Sequence, residues 1–287
     1  MVKRAVTAAL DVARILPILR RDPLAALDVL AGDGDCVEHL DLPYGNGPLQ
    51  RLDLYLPPSA AAAPCAAVVF FHGGRWSFGR KSEYRFVARA MVSAGFACAV
   101  CDYRKFPDVH FPGFVEDGAA AIAWAVANLP AYGIDPSRIF LMGHSAGGHI
   151  ASLAAMDQRY LQPHGNGANK VAGLVLMSTP FDFYPIKGDS LRAIFGEEER
   201  HIEAQPIRYV RAGLPPMLLL HGRRDRTVHP NNSARMASAV REAGGQVRAI
   251  FYDTLTHTNI LGALSHKVGF LLAPVFDDIV SFLQRPR

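Results

Sequence analysis

Ser145 sits in the pentapeptide Gly143-His144-Ser145-Ala146-Gly147, between the apolar run "RIFLMGHS" and an alanine-rich stretch. A serine bracketed by glycines at a strand-to-helix turn has its hydroxyl lifted to the helix N-terminus, with room for neighbouring chain to pass close by. A hydroxyl is a weak nucleophile at neutral pH, so acyl transfer also needs a base within hydrogen-bond reach and a carboxylate to orient that base. Both follow downstream. Asp225 lies a few residues past the apolar run "MLLLHG", and His257 lies in the loop after "AIFYD". The order Ser145, Asp225, His257 is therefore a candidate nucleophile, orienting acid and general base.

Other residues compete for these roles. Asp253 precedes His257 by only four positions, too near in sequence for an obvious orienting partner, whereas Asp182 follows the run "LMSTP" and suits a variant arrangement. Among eleven histidines, His144 adjoins Ser145 and His149 lies one helical turn along, so neither has the freedom of a loop-borne proton shuttle. His221 ends a strand. His229, which also follows Asp225, is the rival to His257.

The oxyanion that develops in acyl transfer needs donors held ready, each contributing on the order of 3 kcal/mol. The Ala146 amide, just after the nucleophile, is one. The apolar run "VVFF" stops at His72-Gly73-Gly74-Arg75-Trp76, where glycines allow the main chain to turn and approach another group. This loop is the expected source of the remaining donors.

These residues need a frame to hold them. From about Leu49, "RLDLYLP" alternates with period two, and "AAVVFFH", "FACAVCDY", "RIFLMGHS", "VAGLVLMST" and "PPMLLLHG" are nearly continuous apolar runs. Such runs read as strands buried on both faces. Helical patterns separate them at Glu83 to Ala94, Val115 to Asn128, Ala146 to Met156 and Asn231 to Glu242, with "GGQVRAIFYD" as a further strand and "VFDDIVSFLQ" as a closing helix. Alternation of this kind predicts an α/β fold, a mostly parallel twisted sheet with helices on both faces. Phe181 to Gly213 interrupts the pattern and reads as a helical lid. The expected organisation is an N-terminal amphipathic helical segment, 1–35, contributing to the lid, followed by one domain, 36–287.

Composition narrows the function classes. Half of the 287 residues are hydrophobic and a fifth are charged, which fits a globular chain. The net charge of +4 is scattered, with no basic block or aromatic-rich basic motif, so nucleic acid is not an expected partner. No apolar run reaches the ~20 residues of a membrane-spanning helix. Lys3 and Arg4 begin the chain as a signal peptide would, yet Asp11 and Arg14 break the apolar stretch, so this segment reads as a cover for the domain rather than a leader or membrane anchor. Cys98 and Cys101 are three apart on a strand and face opposite sides, so they do not suit a shared metal or a disulfide. A cytoplasmic location and no metal or cofactor are the expectations.

The motifs "HGGRW", "DYRKFP", "FPGFVEDGAAAIAWAVAN" and "GHSAGGH" together resemble the α/β-hydrolase superfamily, in its branch of hormone-sensitive-lipase-like and BD-FAE-like carboxylesterases. The resemblance runs from about Leu49 to the C-terminus. It implies that the amides of Gly74 and Arg75 complete an oxyanion hole with Ala146. Arg75 stands where lipase-like members have a third glycine, which inclines the chain toward the formamidase, BD-FAE and methylesterase side. Asp102-Tyr103-Arg104 matches a segment that is structural in such proteins. For the Arg75 side chain, an ion pair with Glu83 is the expected use; Trp76 and Phe78 read as wall or core.

The sequence thus predicts a serine carboxylesterase acting on a small-molecule ester of short to medium acyl chain. Arylformamidase or prenylcysteine methylesterase-like activity uses the same machinery and remains open. A non-catalytic ligand receptor on this fold is a remote alternative, because receptors typically lack a triad member and all three are present here. Sheet edges and helices of such folds often pair, so a homodimer is also an expectation.

Overall fold

The computed structural model describes residues 27, 35–61, 63–165, 170–265 and 269–285. Its frame is an eight-stranded sheet in the order β1-β2-β4-β3-β5-β6-β7-β8. These strands are β1 (Val37–Pro43), β2 (Arg51–Leu56), β3 (Cys65–Phe71), β4 (Ala97–Cys101), β5 (Ile134–His144), β6 (Gly173–Met177), β7 (Met217–Gly222) and β8 (Val247–Tyr252). β1 and β2 pair antiparallel, as do β2 and β4, and the remaining pairs are parallel.

The continuous apolar runs follow from burial on both faces. In β3, Ala67, Val69 and Phe71 face one core, while Ala66, Val68 and Phe70 face the other. β4 alternates likewise, which sends Cys101 and Cys98 to opposite faces. All four cysteines are free. One face is covered by α2 (Gly113–Asn128), α3 (Ala146–Met156) and α5 (Asn231–Glu242), and the other by α1 (Arg85–Ser93) and α6 (Val275–Leu283). Between β6 and β7 the insertion contributes α4 (Asp189–Phe195) and short 3-10 turns, with no strand among its described residues.

Strand β1 was not predicted, because its residues are exposed or half-buried and show no apolar alternation. The N-terminal helical segment lies outside the described residues apart from Leu27 and Asp35. Among the described residues, no helix is long and apolar enough to cross a membrane.

α3 has every residue buried, because it runs between the sheet and the inserted segment. At its start, only glycine permits so close an approach to β3. A Cβ on Gly147 would lie 2.0 Å from the Phe71 carbonyl oxygen, so the helix start and the end of β3 touch backbone to backbone.

Candidate active site

The C-terminal ends of β3, β5, β6, β7 and β8 converge on Ser145. Its backbone is held at φ 54° and ψ −120°, a conformation that costs a non-glycine residue about 1 to 3 kcal/mol. Three bonds over-determine it. The Ser145 amide donates to the Met177 carbonyl at the end of β6 (2.9 Å), the Ser145 carbonyl accepts from the His149 amide (3.0 Å), and the side chain reaches His257.

Ser145 Oγ lies 2.9 Å from Nε2 of His257, and His257 Nδ1 donates to Asp225 Oδ2 at 2.8 Å. Asp225 Oδ1 accepts from the amides of Thr227 and Val228, both at 2.9 Å. Burial alone would raise the Asp225 pKa, but hydrogen bonds from His221 and His257, the nearby His257 charge and the Val228 amide hold it well below the usual carboxylate range. It is ionised at neutral pH and can accept from His257 throughout.

Backbone contacts bring the two C-terminal loops together. The Arg223 amide donates to the Tyr252 carbonyl and the Arg224 amide to the Leu255 carbonyl, tying the aspartate loop to the histidine loop. From beneath, His144 Nε2 donates to the His257 carbonyl at 2.7 Å. Burial and the neighbouring His257 charge lower the His144 pKa to about 3, so its ring stays neutral. His221 supports the aspartate from the other side. Its Nε2 lies 2.9 Å from the Val228 carbonyl and 3.3 Å from Asp225 Oδ2, and its Nδ1 accepts from the Ser233 hydroxyl at 2.7 Å.

The competing residues are engaged elsewhere. Asp253 is exposed and pairs with Arg223, and Asp182 pairs with Arg235. His229 is exposed and takes the Asn231 amide on Nδ1.

The loop after β3 closes over the serine turn. A Cβ on Gly73 would stand 3.5 Å from Ser145 Cβ, which measures how near the two backbones come. Gly74, Arg75 and Trp76 follow with φ of 129°, 51° and 58°, three successive residues in left-handed or related space. For the last two this is a strained conformation that the surroundings must enforce. The Gly74 carbonyl takes the amides of Ser77 and Phe78 (both 2.9 Å), and the Trp76 carbonyl takes the Phe106 amide (2.9 Å). Among the described residues, the amides of Gly74 and Arg75 donate to no protein acceptor. The Ala146 amide opens a helix, where the first N–H groups have no intrahelical partner.

A buried polar platform lies under this loop. His72 stacks between Tyr84 and Tyr103 at centroid distances of 5.3 and 4.6 Å. Its Nδ1 is 2.6 Å from the Gly73 carbonyl and its Nε2 is 3.3 Å from Asp102 Oδ1, which also accepts the Lys81 amide. Burial raises the Asp102 pKa, and the opposing hydrogen bond and charge of His72 prevail and lower it. Asp102 and Tyr103 therefore support the turn from within, and Arg104 forms a bidentate pair with Asp117.

The Arg75 side chain corrects one expectation. It is exposed, Glu83 is exposed, and no ion pair joins them among the described residues. Two solvated charges gain little by pairing, while ordering both side chains costs entropy. Trp76 is buried as expected, whereas Phe78 is 60% exposed and is neither core nor closed wall.

Reading the sequence alone missed the supporting roles of His144, His149 and His221. The signal available was their placement: two flank the serine turn and one precedes Asp225 by four residues. Among the described residues, no cluster of three or more His, Cys, Asp or Glu side chains could hold a metal ion.

Comparison with known proteins finds relatives of this chain in sequence and in fold. The sequence matches the protein family described as BD-FAE over residues 52–240. It is 30% identical over 261 residues to a probable isoprenylcysteine alpha-carbonyl methylesterase of Arabidopsis thaliana, covering 84% of this chain and 61% of that protein. It is 31% identical over 224 residues to the esterase LipQ of Mycobacterium tuberculosis, covering 71% of this chain and 53% of the relative. The chain thus spans between about half and three fifths of the length of these relatives. Among solved structures, a Pyrobaculum calidifontis esterase superposes with a TM-score of 0.74 at 22% identity, covering 93% of both chains. A propionate-bound esterase from Thermogutta terrifontis gives a TM-score of 0.70 at 25% identity, covering 88% of this chain and 97% of the other.

Proposed function

This chain belongs to the BD-FAE family and has the α/β-hydrolase fold, and from that premise we propose that it is a serine carboxylesterase that cleaves esters of short to medium acyl chains. The observation that carries the reading is the hydrogen-bonded chain Ser145–His257–Asp225 facing a loop whose amides are free to donate to a developing oxyanion. In the proposed first step, His257 Nε2 takes the Ser145 proton as Oγ attacks the ester carbonyl carbon. The carbonyl oxygen becomes an oxyanion held by the amides of Gly74, Arg75 and Ala146. Collapse expels the alcohol, which takes the proton from His257, and leaves the acyl group on Ser145. Water, deprotonated by the same imidazole, then attacks the acyl-enzyme and releases the acid. Asp225 keeps Nδ1 protonated and stabilises the imidazolium throughout. No metal or cofactor enters this sequence of steps.

A second reading, hydrolysis of a methyl ester on a prenylated cysteine or of a similarly apolar substrate, draws support from the names of the plant relatives. It also fits two exposed aromatic side chains near the site. Phe78 lies in the β3 loop, and Tyr184 (49% exposed) follows Phe183, whose ring stacks near Trp76. In this reading residues 181–213 act as a lid that sets acyl and alcohol preference.

The test is turnover of p-nitrophenyl esters of graded chain length, a prenylcysteine methyl ester and N-formylkynurenine by wild type, Ser145→Ala, His257→Ala and His229→Ala. Wild type and His229→Ala should hydrolyse at least one ester, and the Ser145 and His257 variants none above background. An active His257→Ala with an inactive His229→Ala would overturn the base assignment. Ester turnover that survives Ser145→Ala would overturn the mechanism.

A further inference from the structure

His149 is fully buried on α3, one turn beyond Ser145, and the mechanism above gives it no chemical step. Its two ring nitrogens are nevertheless both engaged, with different parts of the site. The indole Nε1–H of Trp76 donates to His149 Nδ1 at 3.2 Å, and His149 Nε2 lies 2.7 Å from the Ala204 carbonyl oxygen. An indole nitrogen can only donate and a carbonyl can only accept, so both bonds exist only in the neutral imidazole that carries its proton on Nε2. The ring is enclosed by Trp76, Phe114, Phe183 and Phe195, at centroid distances of 5.1, 6.4, 5.7 and 5.7 Å. That apolar enclosure favours the neutral form, and burial lowers its pKa to about 4.

The partners of this bridge matter more than its burial. Trp76 ends the strained Gly74-Arg75-Trp76 run, and a bulky residue at φ 58° stays there only when its surroundings fix it. Ala204 belongs to the insertion between β6 and β7, and His149 is on the helix opened by Ala146. Resting on the proposed esterase function, we propose that His149 is a positioning residue that locks the loop presenting the Gly74 and Arg75 amides to the helix presenting the Ala146 amide, and fastens both to the insertion through Ala204. The two halves of the oxyanion hole come from segments about 70 residues apart in sequence, and their relative placement decides whether the amides converge on one oxygen. His149, on the helix that carries one half, bonds to the side chain of Trp76, the residue next to the other half.

The test separates positioning from simple packing. Trp76→Phe keeps an aromatic ring, smaller than the indole, and removes the indole N–H. It should lower kcat about five- to tenfold, the effect of losing one buried hydrogen bond, with KM within about twofold of wild type. His149→Leu removes both bonds and should lower kcat at least about tenfold. His149→Gln, whose amide offers one acceptor and one donor, should restore kcat to within about threefold of wild type. Wild-type kcat in Trp76→Phe or in folded His149→Leu, or a Gln variant no better than Leu, would overturn the bridge. Should His149→Leu fail to fold, Trp76→Phe decides alone.

A readout without catalysis keeps the bridge testable even if no ester is turned over. The chain has two tryptophans, so the Trp76 indole N–H can be assigned and its hydrogen exchange followed in Ser145→Ala. Exchange should be at least about tenfold faster in Ser145→Ala/His149→Leu, and equal rates would overturn the proposal. Failure of the esterase reading appears separately, as wild type inactive on every ester while exchange still responds to His149.

Discussion

Acid should destabilise this protein partly through His149, and by an amount the structure sets. In the unfolded chain a histidine titrates near its ordinary value of about 6.5, whereas burial lowers His149 in the folded protein to about 4. The unfolded state therefore binds the proton more readily, and stability rises with pH across this window. The contribution is fully present above pH ~6.5, is lost as pH falls, and stops changing below about 4. Linkage between those two values gives a loss of about 2 kcal/mol at pH 5 relative to neutral pH. No ionised side chain opposes this among the described contacts of the ring, which are four aromatic side chains and a carbonyl. The perturbation is His149→Gln, which spans the same partners and does not titrate. Urea unfolding at pH 7 and pH 5 should show wild type losing about 2 kcal/mol more than the variant between the two conditions. His144, lowered to about 3 by burial and the His257 charge, remains in both proteins and cancels in the difference. Equal losses in the two proteins would refute the reasoning, because His149 would then titrate alike in the folded and unfolded chain.

Three further outcomes follow from the site. Asp225→Asn should lower kcat on the order of 10⁴-fold with little change in KM, since an amide cannot stabilise the imidazolium on His257; steady-state kinetics on the best ester checks this. Gly147→Ala should lower Tm by about 5 °C, because its Cβ would press on the Phe71 carbonyl at 2.0 Å, and calorimetry measures the shift. Arg75→Ala should keep kcat/KM within about threefold for neutral esters, because the backbone is the expected donor and the side chain is exposed; a loss comparable to Ser145→Ala would mean the guanidinium handles substrate.

The parts of this molecule that were legible in its sequence share one physical property: they recur with a period or a fixed chain order. Strands β3 to β7 show as continuous apolar runs because both faces are buried, and α3 and α5 have the predicted limits of Ala146 to Met156 and Asn231 to Glu242. Ser145, Asp225 and His257 could be nominated because each follows a strand, and the structure brings them within hydrogen-bond distance. Strand β1 was illegible because an edge strand with exposed or half-buried residues needs no apolar pattern. The left-handed backbone at Arg75 and Trp76 was equally hidden, since glycine is the residue that normally announces it. The roles of His144, His149 and His221 depend on partners 113, 55 and 12 residues away, and no local pattern encodes those distances.

The separation between Ser145 and His257, 112 residues apart and joined across the ends of parallel strands, also bears on how the protein comes to be active. Parallel strands need long crossovers, and each closure costs chain entropy before any contact rewards it. α3 can begin to form from its own neighbours, but the serine finds its base only after β6, β7 and β8 have joined β5 in register. The onset of ester turnover in a refolding chain would then report one of its most non-local contacts. It should lag the recovery of helical circular dichroism, so activity serves as a clock for completion of the sheet.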